Sequence, residues 1–371
     1  MMKALNNKKT KLSQSVSIGL LGALVITSIS CQKPKKTEET QPSTDSSTTP
    51  VATAPSKYLY VASGTCYAGG LTPETASRTV AKINLSTGNV EGVIADYTSY
   101  PGDNPVGIVN YDDNHVLVLV ENASGRRIDI VDKSTTTNSF LTFLSNSTAL
   151  SAQLRSMVQT PDGGLIVSKS TAIEKFSSGK SRVLVGANPY VNAPAGSCAT
   201  STTLFSSLAV LNNGKIVFAH AAAAQNRFGI LSANGYSVAA DCLSAQAAPN
   251  AAAFPTAMLY LGSSSNLLVA YAGTAANVDY IYSYDINETT NAISGATKAY
   301  ENTSVLRGVS AMAFDSSAGY IYAANGSTSL SNAIEKLSYD ASTKTLTRIG
   351  TVPFSMPTVY HKCISAMTVA N

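Results

Sequence analysis

The side chains that could do chemistry are few and scattered. Three histidines (His115, His220, His361) and, beyond Cys31, four cysteines (Cys66, Cys198, Cys242, Cys363) are spread along 371 residues. General acid–base or metal chemistry needs titratable groups within hydrogen-bond reach of one another and of a substrate. No Walker loop, nucleophile elbow or His-rich metal motif gathers them. The cysteine spacings match no compact zinc pattern, so zinc is the weaker rival to disulfides. Tryptophan is absent, which removes the stacking platforms expected around quinone cofactors and many glycan sites. Asp112, Asp113, Asp162 and Asp315 sit in turns, where aspartate bonds local backbone, and His115 follows one of these turns. Arg155, Arg307, His220 and His361 are different: they fall at or near strand ends expected on one face. A guanidinium taken out of water there needs an anion or carbonyls. This inventory favours binding over catalysis and implies no metal and no cofactor.

The elements that position these residues come from a repeat. Its best copy is Arg307 to Lys336, which reads as strand, turn, strand, loop, strand, with alternating apolar side chains bounded by Gly, Asn and Ser. One column recurs six times as a small residue followed by Met, Leu or Ile. The pairs are Gly107-Ile108, Ser156-Met157, Ser207-Leu208, Ala257-Met258, Ala311-Met312 and Ala366-Met367, stepping by 49, 51, 50, 54 and 55 residues. The residue before the pair is Val, Ser or Thr in every copy but one, where it is Arg155. Third strands echo one another too: Ala172-Ile-Glu-Lys175 and Ala333-Ile-Glu-Lys336 are identical.

A period near 50 residues with roughly four strands marks a propeller or a solenoid. The sixth copy runs out after one strand, and its missing second strand stands at the other end of the fold, Tyr58 to Ala62. A solenoid needs caps, whereas a propeller closes by joining its ends. The expectation is an all-β, six-bladed β-propeller closed by the C-terminal strand. An even cysteine count in an exported chain favours disulfides. Cys363 precedes the first strand of the closing blade and Cys66 follows its second, which predicts Cys66–Cys363. Cys198 is expected before the first strand of the fourth blade and Cys242 after its fourth strand, on the same face, which predicts Cys198–Cys242.

Three segments divide the chain. Residues 1–30 carry Lys3, Lys8, Lys9 and Lys11 ahead of a short apolar run from Val16 to Ile26, the pattern of an export signal. Residues 31–57 are rich in Lys, Pro, Ser, Thr and Glu and cannot bury a core, so they read as a disordered linker. Residues 58–371 are the propeller, long enough for one large core. Without the signal the chain has 22 basic and 22 acidic residues, because four of the 26 Lys and Arg lie in residues 1–30. No basic stripe points to nucleic acid.

Two resemblances add to this reading. Thr27-Ser-Ile-Ser-Cys31 resembles the lipobox of bacterial lipoproteins, with Ser28 standing where family members usually carry an aliphatic residue. The resemblance implies that Cys31 is lipidated and becomes the new N-terminus. With Gln32 rather than Asp next, it implies an outer-membrane location, periplasmic or surface-facing. Residues 312 to 336 resemble the YVTN, lactonase-like, β-propeller repeats, in which a turn rich in Asp and Gly leads into an aromatic-apolar strand. Tyr320-Ile-Tyr-Ala-Ala-Asn325 and Tyr58-Leu-Tyr-Val-Ala-Ser63 carry that likeness best, and the middle copies depart from it. Such repeats occur in enzymes and in surface proteins alike. The leading expectation is a lipid-anchored envelope propeller that binds a protein or small ligand through its loop-rich face. The alternatives are an envelope hydrolase of the lactonase kind and an accessory lipoprotein of outer-membrane assembly machinery.

Overall fold

The computed structural model describes residues 57–64, 77–122, 126–134, 140–144, 154–169, 172–178, 191–192, 205–220, 227–231, 242–249, 253–273, 280–301, 306, 308–325, 334–349 and 363–370. They form six four-stranded antiparallel sheets. The first blade combines β1 (Tyr58–Ser63), β2 (Thr79–Asn84) and β3 (Val90–Asp96) with a strand from the far end of the chain. The second holds β4 (Asn104–Asn110), β5 (His115–Glu121), β6 (Arg127–Asp132) and β7 (Phe140–Leu144). The third holds β8 (Leu154–Gln159), β9 (Leu165–Lys169), β10 (Ala172–Phe176) and β11 (Val191–Asn192). The fourth holds β12 (Phe205–Val210), β13 (Ile216–His220), β14 (Arg227–Leu231) and β15 (Cys242–Ala247). The fifth holds β16 (Ala253–Leu261), β17 (Asn266–Gly273), β18 (Tyr280–Asn287) and β19 (Ala292–Tyr300). The sixth holds β20 (Ala311–Asp315), β21 (Tyr320–Ala324), β22 (Ile334–Asp340) and β23 (Thr345–Arg348). The chain then returns as β24 (Ile364–Ala370), which pairs with β1 as the inner strand of the first blade, Met367 opposite Val61. The expected six-bladed propeller, closed by its last strand, is the fold.

The small-then-large column is an interlock between blades. A Cβ on Gly107 would meet the Met157 backbone and Cβ at 3.2–3.3 Å, so the small residue of one blade makes room for the large residue of the next. The same seam between the fourth and fifth blades is a hydrogen bond, Met258 N–H to Ser207 Oγ at 3.1 Å. The large residues pack backwards in the same sense. Met157 joins the second blade's core with Leu117 and Leu119, and Met312 joins the fifth blade's with Leu268 and Ala270. Each such side chain contributes about 1.5–3 kcal/mol by leaving water.

The two faces of the ring differ. Inner strands end on a turn face, where short connections such as 111–114, 262–265 and 316–319 lead into the second strands. Asp and Asn close these turns by accepting backbone N–H groups. Asp112 takes Asn114 and His115 and Asp315 takes Ser317 and Ala318, while Asp340 takes Ser342 and Thr343 in the turn from β22 to β23. Lys57 donates to the same Asp315 carboxylate at 2.7 Å, fixing the entry of β1 against the sixth blade. Inner strands begin on the opposite loop face, which takes the longer connections, among them 64–78 and 349–363.

One register expectation fails. Cys242 opens the fourth strand of its blade rather than following it, and it pairs with Leu231. Leu231 pairs with Ile216, and Ile216 with Val210 at the end of β12, so Cys242 lies toward the turn face. Cys198 falls outside the described residues. The place expected for Cys242 in the Cys198–Cys242 pairing, after its fourth strand, is thus corrected to the start of that strand. The fourth strand runs from the turn face to the loop face, so a cysteine that opens it and one that follows it lie on opposite faces.

Candidate binding channel

The six inner strands surround a cavity of about 350 Å³ on the propeller axis. Its loop-face end is shaped by a feature repeated from blade to blade. In five inner strands the ladder skips one residue: Val106, Arg155, Ser206, Thr256 and Ser365. In the sixth, Ser310 holds the equivalent place, its N–H bonded to the Ala324 carbonyl that faces Ala311. A β-bulge leaves one residue out of the ladder and re-aims its side chain. Here it brings one residue per blade to the channel wall, and all six line the cavity.

Three of the six tie neighbouring blades together. The Ser206 hydroxyl donates to the Pro255 carbonyl at 2.9 Å, Thr256 to Val309, and Ser365 to Pro105. Each acceptor is the residue just before the next blade's bulge, so the bonds run around the ring in one direction. Gly64 belongs to this seam: its N–H donates to Ser365 Oγ at 3.3 Å, and a Cβ there would lie 2.0 Å from the Pro105 carbonyl oxygen.

Arg155 is where the sequence placed it, beside the small column, and it is half-buried on the cavity wall. Burial lowers the guanidinium's affinity for its proton, though arginine stays charged. His220 ends β13 on the loop face, opposite Phe205 and Arg227. The structure thus brings Arg155 and His220 to one face, on adjacent blades. Arg307 and His361 lie outside the described residues, as do Cys31 and Cys66. Cys363 is buried at the start of the closing strand, and its sulfur is disulfide-bonded. His115 is the turn residue expected, its Nδ1 at 2.9 Å from Asp112. Burial raises the Asp112 carboxyl, but the backbone N–H groups and His115 outweigh it, and the group sits below the ordinary carboxylate value.

Three buried acids were not anticipated. Asp129, Glu174 and Glu335 lie on third strands, each in line with a column residue across the second strand: Ile108–Val118–Asp129, Met157–Val167–Glu174 and Met312–Ala323–Glu335. Each has a cation, from a different place every time. Arg127 meets Asp129 from the same strand at 2.9 Å, Lys169 meets Glu174 from β9 at 2.7 Å, and Arg348 meets Glu335 from β23 at 2.6 Å. In the second blade Arg127 also holds Asp103 at 2.6 Å, and Asn122 donates to the same carboxylate. Asp103, one residue before β4, is thus committed to a buried pair. Burial pushes the Asp129 carboxyl up, against the pull of Arg127. The identical Ala-Ile-Glu-Lys copies were the available signal, since a glutamate flanked by apolar residues in a third strand needs a partner.

Six closed blades around a lined axial channel define the class: the chain is a β-propeller. Neither a family model nor a curated protein matches the sequence. Solved structures do resemble it. One is described as a putative 6-phosphogluconolactonase from Bacteroides uniformis, with 11% identity and a TM-score of 0.53, covering 85% of this chain and 99% of that one. Another, under the same description, comes from Bacteroides fragilis, with 12% identity and a TM-score of 0.52, covering 89% and 100%. A periplasmic gluconolactonase of Pseudomonas aeruginosa has 12% identity and a TM-score of 0.50, covering 80% and 96%. At such identities the likeness is one of fold.

Proposed function

We propose that this chain is a ligand-binding propeller of the bacterial envelope, held to the outer membrane by lipid on Cys31 and linked through residues 31–57. Its ligand, a small molecule or a segment of a protein partner, enters the axial channel from the loop face. The observation that carries this reading is the channel: a cavity of about 350 Å³ whose wall takes one residue from each blade, bulged out of the ladder in five of the six. That volume is within the range of small-molecule sites. Four methionines, Met157, Met258, Met312 and Met367, line it and supply a direct readout. With ¹³C-methyl methionine labelling, a panel of charged and neutral small molecules is expected to include members that shift these methyl signals saturably. A panel that moves none of the four removes the channel as the binding site.

The membrane attachment has its own test. Replacing Cys31 with serine is expected to move the propeller into the soluble fraction, because stable anchoring depends on the acyl chains a lipidated cysteine carries. Unchanged membrane retention would mean another anchor. The Cys66–Cys363 clasp belongs to the same reading. Ser63 pairs with Ile364, Cys363 is disulfide-bonded, and Cys66 follows Ser63 closely in the chain.

A second reading, a lactonase, draws on the solved structures that carry that name. Sustained turnover of 6-phosphogluconolactone or gluconolactone by the purified propeller, lost in His361→Ala, would put this reading first. The third reading, an assembly accessory, would be marked by a broad apolar rim. The large exposed apolar side chains among the described residues, Tyr100, Leu141, Leu243 and Ile349, are divided among different blades.

A further inference from the structure

We infer that Asp129 is a proton-binding site in the seam between the first two blades, and that the proton it takes up strengthens the ion pair holding the start of β4. The cluster there holds two buried carboxylates and one cation. Arg127 Nη2 donates to Asp103 at 2.6 Å, while its Nε donates to both Asp129 oxygens at 2.9 and 3.1 Å. Asp129 is fully buried, and Asp103 is 2% exposed. One guanidinium cannot neutralise both acids, and a buried charge left over is costly. Asp129 is the member placed to give up its charge. Burial favours its neutral form and outweighs the pull of Arg127 and Tyr97, and the Asp103 charge acts in the same direction as burial.

The other charged groups on the elements around this seam are engaged elsewhere. At the end of β5, Glu121 takes Arg126 through both carboxylate oxygens. Ahead of β2, Arg78 donates to the Thr98 and Tyr100 carbonyls, and at the end of β3 Asp96 accepts from Thr98. Toward the turn face, Lys133 donates to the Asp112 carbonyl and Lys82 meets Glu91 at 3.5 Å. On the far side of β6, β7 brings Phe140 and Thr142 but no charge. Asn122 donates to Asp103 and adds no charge either. The two acids are therefore coupled through one guanidinium, and such coupling is reciprocal. If the Asp103 charge favours a proton on Asp129, that proton in turn leaves Arg127 to Asp103 alone. Asp103 immediately precedes β4, where Pro105 accepts the Ser365 hydroxyl that helps close the ring. Acid thus tightens the entry of the second blade into the channel wall. The sign follows from linkage: a carboxyl held above its ordinary value adds stability that is complete below that value and lost as the pH rises through the raised one.

The test follows the carboxyl carbons of the purified protein, with ¹³C-labelled aspartate, from about pH 8 to about pH 3. The Asp129 carbon is expected to titrate above the ordinary aspartate value, and Asp103→Asn should lower its midpoint. Denaturant unfolding over the same range is the second readout. Wild type should gain stability relative to Asp129→Asn as the pH falls, since only wild type can take up the proton. Asp129→Asn keeps an oxygen for Arg127 and is expected to fold. Where it does not, the carbon titrations of wild type and Asp103→Asn decide alone. An Asp129 carbon that titrates at or below the ordinary value overturns the proton site. So does a wild type that loses stability relative to Asp129→Asn as the pH falls. A midpoint that Asp103→Asn leaves unmoved overturns the coupling to β4.

Discussion

A chain ending at Val359 is expected to have no cooperative thermal transition and to lose its native near-ultraviolet signal. The truncation removes β24, and with it the buried Ile364 and Met367 and the whole ladder to β1. Each large side chain is worth about 1.5–3 kcal/mol and each ladder hydrogen bond about 0.5–1.5 kcal/mol. The total rivals the roughly 5–15 kcal/mol that holds an entire domain. The loss also opens the ring: Ser365 no longer bonds Pro105, and Gly64 loses the hydroxyl it donates to. Because the truncation also deletes Cys363, full-length Cys363→Ser is the control. Loss of the proposed clasp alone should cost at most roughly 4–5 kcal/mol, the loop-closure estimate for so long a loop, and leave a cooperative though lower transition. A truncated chain that melts near the full-length temperature would show that the closing strand is dispensable.

The second large effect is expected at Lys169. Its ammonium is 2.7 Å from Glu174, whose carboxylate is fully buried. Replacing Lys169 with methionine leaves that carboxylate without its cation, and breaking a buried pair from one side costs about 3–5 kcal/mol. Replacing both, Lys169→Met with Glu174→Leu, removes the stranded charge and should recover most of the loss. Denaturant unfolding of the two variants decides the matter. A single variant as stable as wild type would mean that Glu174 finds water or another cation.

The architecture was legible in the chain alone. The six Gly107-Ile108 to Ala366-Met367 pairs marked the inner strands, and the split last copy showed how the ring closes. This was legible because a strand's side chains alternate with a period of two, and because blade contacts repeat at a fixed chain distance. Asp112, Asp162 and Asp315 were legible as turn residues for a similar reason, since each bonds backbone only two or three positions away. Arg155 stood out as an exception in its column. What that slot does emerges from the folded ring. A bulge shifts register by one residue without changing the pattern of residue types, so nothing in the chain shows that Val106, Arg155, Ser206, Thr256 and Ser365 leave the ladder. The hydroxyl ties reach a backbone carbonyl on the next blade, and a carbonyl has no residue type to recognise. The buried acids draw their cations from the same, the preceding or the following strand, so no single spacing reveals them. Cys242 was misplaced by one strand length because outer strands bear little of the buried alternation that locates inner ones. Arg155 and Ser310 lie in sequence copies three apart, and only a ring that closes with six blades sets them face to face.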